Sequence, residues 1–562
     1  MKRSLHTLAV VAAVLVLVQI RPVVANRGGA GSARLQLVEA TVDDLLKAIQ
    51  TGLVTIEQLT EMYLARIDAY DDAGPGVNAF LHVNANAVNE ARQLDASRHP
   101  GIERSPLYGI PVLLKDNIDT DDMPTTAGSV ALAGSIPPDD AFITRKLREA
   151  GAIIIGKATL TEYANFIALG MPTGYSSLGG FGFNPYDPRV DPRPDPPFND
   201  GRPVLITGGS SSGSGIGVNA SLTALAVGTE TSGSILSPAS ANGVVGIKPT
   251  VGLVSRDGII PITADQDTAG PFGRTVRDAA ILLGVLAGYD ANDPATAACL
   301  TPGNCFSDYT PFLKKDALQG ARIAVPPYPS SRAPIIEPAI DVLRAQGAYV
   351  ELISALPPQM GICVSYPYPN PAPPAIRCSS VLMYGQKRDL NAYLANTPGA
   401  PVSTIEEIVA FNSAYVPPMK YGQAIFEAVA QQDTSPGSAD TLRYEADLAE
   451  DRARSRGALD DVYDGPDNIA GNADDFDAIL AVANFFAGTP AKAGYPSVTV
   501  PGGFLPPDGI IENPWPVTVT FTGPAFSEPR LIALAYAFEQ ATHHRRPPAS
   551  TPPLPSDTVV RP

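Results

Sequence analysis

Histidine is scarce in this chain, with only five copies among 562 residues. Any chemistry that needs several histidines is therefore disfavoured. Basic residues are outnumbered too, with 40 Lys and Arg against 57 Asp and Glu, and the net charge is −17. Because an acidic chain repels the phosphates of DNA and RNA, the composition argues against a nucleic acid partner. The 44% of hydrophobic residues is typical of a globular protein that buries a large core.

The sequence has no apolar run of 18 residues, and the run Leu8–Val18 near the amino terminus has eleven. Eleven residues are too few to cross the ~30 Å hydrocarbon core of a membrane as a helix. Lys2 and Arg3 precede the run, and small residues up to Ala25 follow it, as in a secretory signal peptide. We therefore expect residues 1–25 to be a signal peptide, the mature protein to be secreted or periplasmic, and no stable membrane association.

Cysteine is also rare, with four copies that form no CxxC pair and have no histidine nearby, so no metal site is predicted. Four cysteines allow three disulfide pairings. We expect the two local pairings, which close short loops in proline-rich segments and fit an oxidising compartment; four buried thiols are the alternative. The tentative pairs are Cys299 with Cys305 and Cys363 with Cys378.

The apolar patterning predicts an α/β fold. Short apolar runs at Ile110–Leu114 and Ala152–Ile155 flank a helical pattern at Asp140–Ala150. This strand–helix–strand order favours a sheet with partly parallel pairing. Helical periodicity between Thr41 and Ala96 predicts a helical layer that precedes the sheet.

Segments rich in Pro, Gly or Asp interrupt this pattern. We expect a disordered linker at 26–36, a long loop at 180–206, a proline-rich excursion from the core at about 287–440, a solvated acidic loop at 460–477, and a disordered proline-rich tail at 546–562. The acidic loop lacks the ligand spacing of a calcium loop. The stretch 37–545 is predicted to be one domain that includes the excursion.

The segment Thr207–Thr250 carries the strongest chemical signal, with two Gly/Ser clusters around an apolar unit. A phosphate-binding loop is disfavoured because the segment has neither G-K-[ST] nor the G-x-G-x-x-G spacing. A nucleophile elbow would use Ser211, but the only later histidines, His543 and His544, lie in a basic terminal tail. The third possibility is a serine activated by a buried lysine. Lys115 follows an apolar run and meets that requirement, although a surface lysine just past a strand stays open at this point.

Four motifs make the chain resemble the amidase signature hydrolases. They are GIPVLLKDN at 109–117, GGSSSGSG at 208–215, GTETSGSILSPA at 228–239 and GVVGIKPT at 243–250. Ser210 and Ser234 are 24 residues apart, which agrees with the family spacing. The resemblance covers roughly 40–290 and 460–545, and it implies an α/β/α sandwich around a central mixed β-sheet.

The resemblance implies a role for each matching residue. Ser234 would be the nucleophile, Ser210 a bridging serine in a cis peptide, and Lys115 the base. The oxyanion hole would be formed by the backbone amides of Thr231, Ser232, Gly233 and Ser234. Supporting positions would be Ser211, Asp116, Asn117 and Arg274. Neither a metal nor an organic cofactor is implied.

Within the family, the chain looks more like the branch that contains peptide amidases, which remove a C-terminal amide. We therefore expect a secreted amide-bond hydrolase that acts through an acyl-enzyme on carboxamides or C-terminally amidated peptides. Its partner would be a small-molecule or peptide amide substrate, and the protein a monomer or homodimer. Peptide, aryl, fatty amide and carbamate substrates are not distinguished. Two alternatives stay open: a protein like the amide-hydrolysing component of amidotransferases, and an inactive family member that acts as a binding protein.

Overall fold

A mixed β-sheet flanked by helices organises the chain, and the computed structural model describes residues 33–97, 105–354, 378–417, 419–467 and 469–561. The strands in this part of the chain are β1 (Ala33–Gln36), β2 (Phe80–Val83), β3 (Pro111–Lys115), β4 (Ile153–Ala158), β5 (Tyr175–Ser176), β6 (Gly180–Phe181), β7 (Leu225–Glu230), β8 (Val245–Lys248), β9 (Thr268–Gly273), β10 (Arg322–Val325), β11 (Tyr349–Leu352), β12 (Ala478–Val482), β13 (Ser497–Leu505), β14 (Trp515–Thr522) and β15 (Thr558–Arg561).

The α-helices of the same residues are α1 (Val42–Gln50), α2 (Ile56–Tyr70), α3 (Ala87–Ala96), α4 (Phe142–Glu149), α5 (Glu162–Asn165), α6 (Ser212–Asn219), α7 (Leu236–Ala241), α8 (Val276–Leu286), α9 (Ala333–Ala345), α10 (Ser380–Ala395), α11 (Ile405–Ala414), α12 (Ala424–Ala430), α13 (Ala439–Tyr463), α14 (Gly488–Ala493) and α15 (Glu528–Thr542). None of these helices is both long enough and apolar enough to span a membrane.

The main sheet has eleven strands in the order β11-β10-β12-β14-β13-β8-β9-β7-β3-β4-β2. Parallel pairs join β3 to β4 and β7, and β10 to β11 and β12. The other neighbours are antiparallel. The predicted α/β sandwich around a mixed sheet is therefore confirmed.

Two adjacent buried strands, the third and fourth from the β2 edge of the sheet, place the functional residues. Every residue of β3 and of β7 is buried, as expected for parallel strands covered on both faces. Their register pairs Leu114 with Val227. The carboxyl ends of both strands therefore meet at one edge of the sheet, with Lys115 at the end of β3 and Thr229 near the end of β7.

The two ends of the described chain are ordered, contrary to the sequence-based expectation. β1 pairs with β15 in an antiparallel ribbon, from Ala33 opposite Arg561 to Gln36 opposite Thr558. Arg66 and Asp557 form an ion pair at 2.5 Å in which both side chains are fully buried. The predicted disorder is therefore wrong for 33–36 and for 546–561, because these contacts compensate the entropy lost on ordering.

The prediction that residues 287–440 form an excursion from the core is also partly wrong. β10, α9 and β11 form a parallel β–α–β unit that extends the main sheet at one edge. Each of these strands has only four residues, so their apolar pattern is hard to recognise among the surrounding prolines. The helices α10, α11 and α12 do leave the sheet, and they bury a second hydrophobic cluster against 127–132 and 163–171.

The loops differ in how far they match expectation. The acidic segment begins inside α13, which ends at Tyr463, so residues 460–463 are helical rather than part of a loop. The segment 180–206 is irregular apart from β6, and three Asp-x-Arg ion pairs stabilise it, the first between Asp187 and Arg189.

A disulfide joins Cys299 to Cys305, and Cys378 is also disulfide-bonded. Residues 1–25, 26–32 and 562, as well as Cys363, lie outside the described residues.

Candidate active site

Lys115 lies at the centre of a buried polar cluster at the carboxyl edge of β3 and β7. Its side chain is fully buried, and Nζ is 2.7 Å from Oγ of Ser210 and 2.7 Å from Oγ1 of Thr229. Nδ2 of Asn117 donates to the same Thr229 hydroxyl at 3.1 Å. A primary amine can make three hydrogen bonds. Because Nζ contacts Thr229 on one side, its contact with Ser210 lies on the other.

The surroundings of Lys115 favour the neutral amine. Burial lowers the pKa of Lys115 to about 7, although the carboxylates of Asp267 and Glu230 oppose this shift. An ordinary lysine titrates near 10.4 and is almost entirely protonated at neutral pH. A large fraction of Lys115 is therefore unprotonated near pH 7 and able to accept a proton from Ser210.

Ser210 lies in a glycine-rich loop that is packed too closely for larger residues. The peptide bond between Gly209 and Ser210 is cis. A Cβ at Gly208 would lie 2.6 Å from the backbone of Pro238, and one at Gly209 would lie 2.5 Å from Oγ1 of Thr161. The Ser210 carbonyl oxygen accepts a hydrogen bond from the Thr161 amide at 3.0 Å. These contacts hold the Ser210 side chain beside Lys115.

Ser234 follows β7 in a short loop that leads into α7. Its carbonyl oxygen accepts from the Ser211 amide at 3.2 Å, which joins the two serine-containing loops. The residue is 7% exposed, whereas Ser210 is fully buried. Oγ of Ser234 makes no hydrogen bond within the described residues, so no internal partner competes with a substrate for this hydroxyl.

The loop between Glu230 and Leu236 presents backbone amides beside Ser234. The buried carboxylate of Glu230 accepts from the amides of Gly233 at 2.6 Å, Ile235 at 2.7 Å and Leu236 at 3.1 Å. The predicted oxyanion role of Gly233 is therefore not supported, because its N–H already donates to Glu230.

The other three predicted oxyanion donors are free to bind a substrate oxygen. The amides of Thr231, Ser232 and Ser234 have no acceptor within the described residues. The Thr231 side chain donates to Asp267 at 2.5 Å, and its carbonyl accepts from Gln266 at 2.7 Å, so this part of the loop is held on both sides. A carbonyl oxygen that becomes negatively charged would find preorganised donors here.

The residues predicted to support the site are not equivalent. Asn117 contacts the Lys115 cluster directly, and Oγ of Ser211 donates to the Thr229 carbonyl at 3.0 Å and accepts from its amide at 3.2 Å. Asp116 instead pairs with the second buried lysine, Lys157, at 3.4 Å.

Arg274 makes no contact with Lys115, Ser210 or Ser234, so the structure shows no direct support of the site by this residue. Its guanidinium donates to the carbonyls of Thr223 and Ala40, and Thr223 precedes the amino end of β7, opposite the end that carries Thr229. Arg274 therefore supports the fold between β7 and the amino-terminal segment.

The structure does not support Ser211 as a nucleophile. Its hydroxyl is fully buried and engaged with Thr229, and the two late histidines lie elsewhere. His543 and His544 line a separate cavity with Glu39 and Glu539. Within the part of the chain that the structure describes, no three His, Cys, Asp or Glu residues are grouped so that they could hold a metal ion.

Several residues of the site were not predicted from the sequence. Three of them lie inside the family motifs: Thr229, Glu230 and Lys248. The sequence signal that could have identified them is a polar or charged residue at the end of an otherwise apolar strand. Burial raises the pKa of Glu230, whereas the nearby Lys248 ammonium opposes that shift. Lys248 donates to the Tyr495 carbonyl at 2.6 Å. Asp267 has no comparable sequence signal.

A cavity of about 320 Å³ borders the site. Asn117, Thr229 and Thr231 line it on the sheet side, and α10 contributes Tyr393. Tyr393 donates to the buried carboxylate of Asp119 at 2.8 Å. The helical excursion therefore forms one wall of the space beside the Lys115 cluster.

The sequence and fold of this chain are similar to those of known proteins. A profile of the amidase family matches residues 58–368. A probable amidase from Arabidopsis thaliana is 35% identical over 546 residues, covering 95% of this chain and 97% of the relative. The A component of the glutamyl-tRNA(Gln) amidotransferase from Rhodopirellula baltica is 31% identical over 532 residues, covering 91% and 98%.

Similarity to a solved structure points the same way. The native peptide amidase from Stenotrophomonas maltophilia superimposes with a TM-score of 0.75 at 37% identity, covering 92% of this chain and 99% of that one. Sequence, fold and site motifs thus agree. The chain belongs to the amidase family, carries its amidase signature, and is an amide-hydrolysing enzyme.

Proposed function

We propose that the enzyme cleaves carboxamides through an acyl-enzyme on Ser234, with Ser210 and Lys115 as a proton relay. The observation that carries this proposal is the 2.7 Å contact between Nζ of Lys115 and Oγ of Ser210 in a fully buried site. A buried amine whose pKa lies near the working pH can act as a general base. The open Oγ of Ser234 beside unpaired amides supports its assignment as nucleophile.

Acylation begins when neutral Lys115 accepts the proton of Ser210, while Oγ of Ser210 takes the proton of Ser234. Oγ of Ser234 forms a bond to the amide carbon, and the carbonyl π electrons move to oxygen. The N–H groups of Thr231, Ser232 and Ser234 stabilise this oxyanion, and each such donor contributes about 3–4 kcal/mol in comparable sites.

Collapse of the intermediate breaks the C–N bond. The proton held by the relay passes through Ser210 to the nitrogen, which leaves as ammonia or an amine. Water then gives a proton to the relay and attacks the Ser234 ester, and Ser234 regains its proton as the acid departs. The sum is amide plus water to carboxylic acid plus ammonia or amine, with no metal or organic cofactor.

We propose that the substrates are simple carboxamides or C-terminally amidated peptides. The similarity to a peptide amidase over 99% of that chain supports this choice. A panel of amidated peptides, free-acid peptides, fatty amides and anilides would test it by release of ammonia or amine. Ammonia from amidated peptides, without any added partner, is the expected result. Release that requires a second protein would instead favour the amidotransferase-like alternative.

Covalent labelling tests the proposed chemistry. A fluorophosphonate should form an adduct on Ser234 of the folded protein, and S234A should remove it. K115A should lose most labelling near neutral pH and regain part of it at high pH, where hydroxide replaces the missing base. A folded protein without label on Ser234 would overturn the proposal and favour an inactive binding protein. Unchanged labelling of K115A would remove Lys115 from the relay.

We also propose that the enzyme is exported. The signal-like composition of residues 1–25 supports this. The amino-terminal sequence of exported protein should begin at Asn26. An active protein that is retained in the cytoplasm with Met1 intact would contradict export.

A further inference from the structure

One exposed amide side chain lies next to the nucleophile loop and has no part in the mechanism above. Asn484 is exposed, and its side chain makes no hydrogen bond within the described residues. A Cβ at Gly233 would lie 3.0 Å from Nδ2 of Asn484 and 3.5 Å from its Cβ. Gly233 directly precedes Ser234, so the absence of a side chain there leaves room for the Asn484 amide beside the nucleophile.

The backbone around Asn484 is held firmly. Asn484 follows β12 in a turn, and the preceding Ala483 has a left-handed conformation with φ of 52°. Ala483 is fixed to β14 through both backbone groups, since its amide donates to the Thr518 carbonyl at 2.9 Å and its carbonyl accepts from Thr520 at 2.6 Å. Left-handed residues other than glycine cost energy and concentrate at functional sites.

The other side of the turn is anchored as well. Phe486 is 3% exposed and packs in a hydrophobic cluster behind the turn, and the Ala487 amide donates to the Asn484 carbonyl at 3.1 Å. The turn thus fixes the backbone of Asn484 next to the Gly233–Ser234 loop. Only the rotamer of its side chain has to be ordered when a substrate binds, which keeps the entropy cost of binding small.

An asparagine side chain offers one carbonyl acceptor and one NH₂ donor, so it can accept from the N–H of a peptide unit or donate to its C=O. From this geometry we infer that Asn484 is a specificity residue that binds the peptide unit next to the scissile carboxamide. This inference rests on the proposed function. It assigns to the enzyme acyl groups that carry a second amide, in preference to plain alkyl or aryl carboxamides.

Two substrates that differ only in that peptide unit test the inference. N-acetylphenylalanine amide has an acetamido group next to the scissile carboxamide, and 3-phenylpropionamide lacks it. We expect N484A to lower kcat/KM for the first about tenfold, the loss of one net hydrogen bond, and to change the second less than twofold. N89A, an exposed asparagine on α3, is the matched control and should alter neither value.

The outcomes separate this inference from the proposed chemistry. Equal losses on both substrates, or no loss on either, would overturn the role of Asn484. So would a wild-type enzyme that labels at Ser234 and cleaves only 3-phenylpropionamide, although the Ser234 chemistry would then stand. Absence of labelling at Ser234 in the folded wild-type protein would overturn the proposed function itself. Unchanged labelling of N484A should accompany the expected result, because the variant leaves the relay intact.

Discussion

At the scale of single residues, the proposed mechanism makes activity depend on the protonation state of Lys115. Burial holds its pKa near 7, and only the neutral amine can accept a proton from Ser210. As the pH falls below 7 the ammonium form accumulates, so kcat/KM should fall about tenfold per pH unit. Above that pKa the rate should reach a plateau. A pH profile of wild-type kcat/KM between pH 5 and 9 measures this directly.

Two variants distinguish Lys115 from other groups that titrate in the same range. K115R should be inactive throughout, because a guanidinium does not lose its proton in this range. Burial also raises the pKa of Asp119 to about 7, and Asp119 borders the same cavity. D119N should keep the inflection near pH 7. Loss of the inflection in D119N would assign it to that carboxylate instead of Lys115.

Single residues also show which contacts of the site could be predicted from the sequence and which could not. Ser210 and Lys115 were paired from motifs alone, and in the structure these two side chains touch. The resemblance to the family implied that the amide of Gly233 belongs to the oxyanion hole together with its three neighbours. Its hydrogen bond to Glu230 depends on how the loop curls around a buried carboxylate, and linear spacing carries no such information.

At the scale of elements, the glycines of α6 determine how closely this helix packs. A Cβ at Gly213 would lie 2.3 Å from the Ala79 carbonyl oxygen and 2.6 Å from the Thr159 nitrogen, both backbone atoms. G213A should therefore lower the free energy of unfolding by about 1–3 kcal/mol. It should also slow labelling of Ser234, because α6 begins two residues after Ser210. Urea unfolding and the labelling rate measure the two effects.

Gly457 in α13 provides the matched control. It is exposed in the middle of a helix, and a Cβ there would meet no atom within 4 Å. G457A should stabilise the protein by about 0.5–1 kcal/mol, since alanine is the better helix former. Equal destabilisation by both substitutions would contradict the steric explanation for Gly213.

Elements were predicted well where their apolar runs were long and poorly where they were short. β3 and β4 stood out as runs of consecutive apolar residues. β10 and β11 did not, because each has four residues and includes a charged one, Arg322 or Glu351. β10 pairs with β12 and β11 pairs with β10, and the pairing of β10 with β12, which is distant in sequence, is not visible in local composition.

At the scale of the whole molecule, the buried ion pair between Arg66 and Asp557 ties the end of the chain to α2. Arg66 also donates to the carbonyls of Ala220, Ser221, Thr551 and Pro552. D557N would leave the guanidinium buried without a counter-charge, which costs about 3–5 kcal/mol. We expect a loss of this size in the free energy of unfolding by urea.

An exposed ion pair is the control for that measurement. Arg277 and Asp43 also pair, but their side chains are 43% and 51% exposed. R277A should therefore change the free energy of unfolding by less than about 1 kcal/mol. If D557N and R277A lowered the free energy of unfolding equally, burial of the Arg66 pair would add nothing to the stability of the protein.

The ribbon of β1 and β15 also determines the order in which the protein can fold. Its two strands are separated by more than 500 residues of chain, so β1 has no partner until residues 558–561 have been synthesised. Every shorter nascent chain carries Arg66 without its carboxylate. Because contacts between distant segments form late and slowly, this part of the molecule forms only after the chain has been synthesised as far as β15.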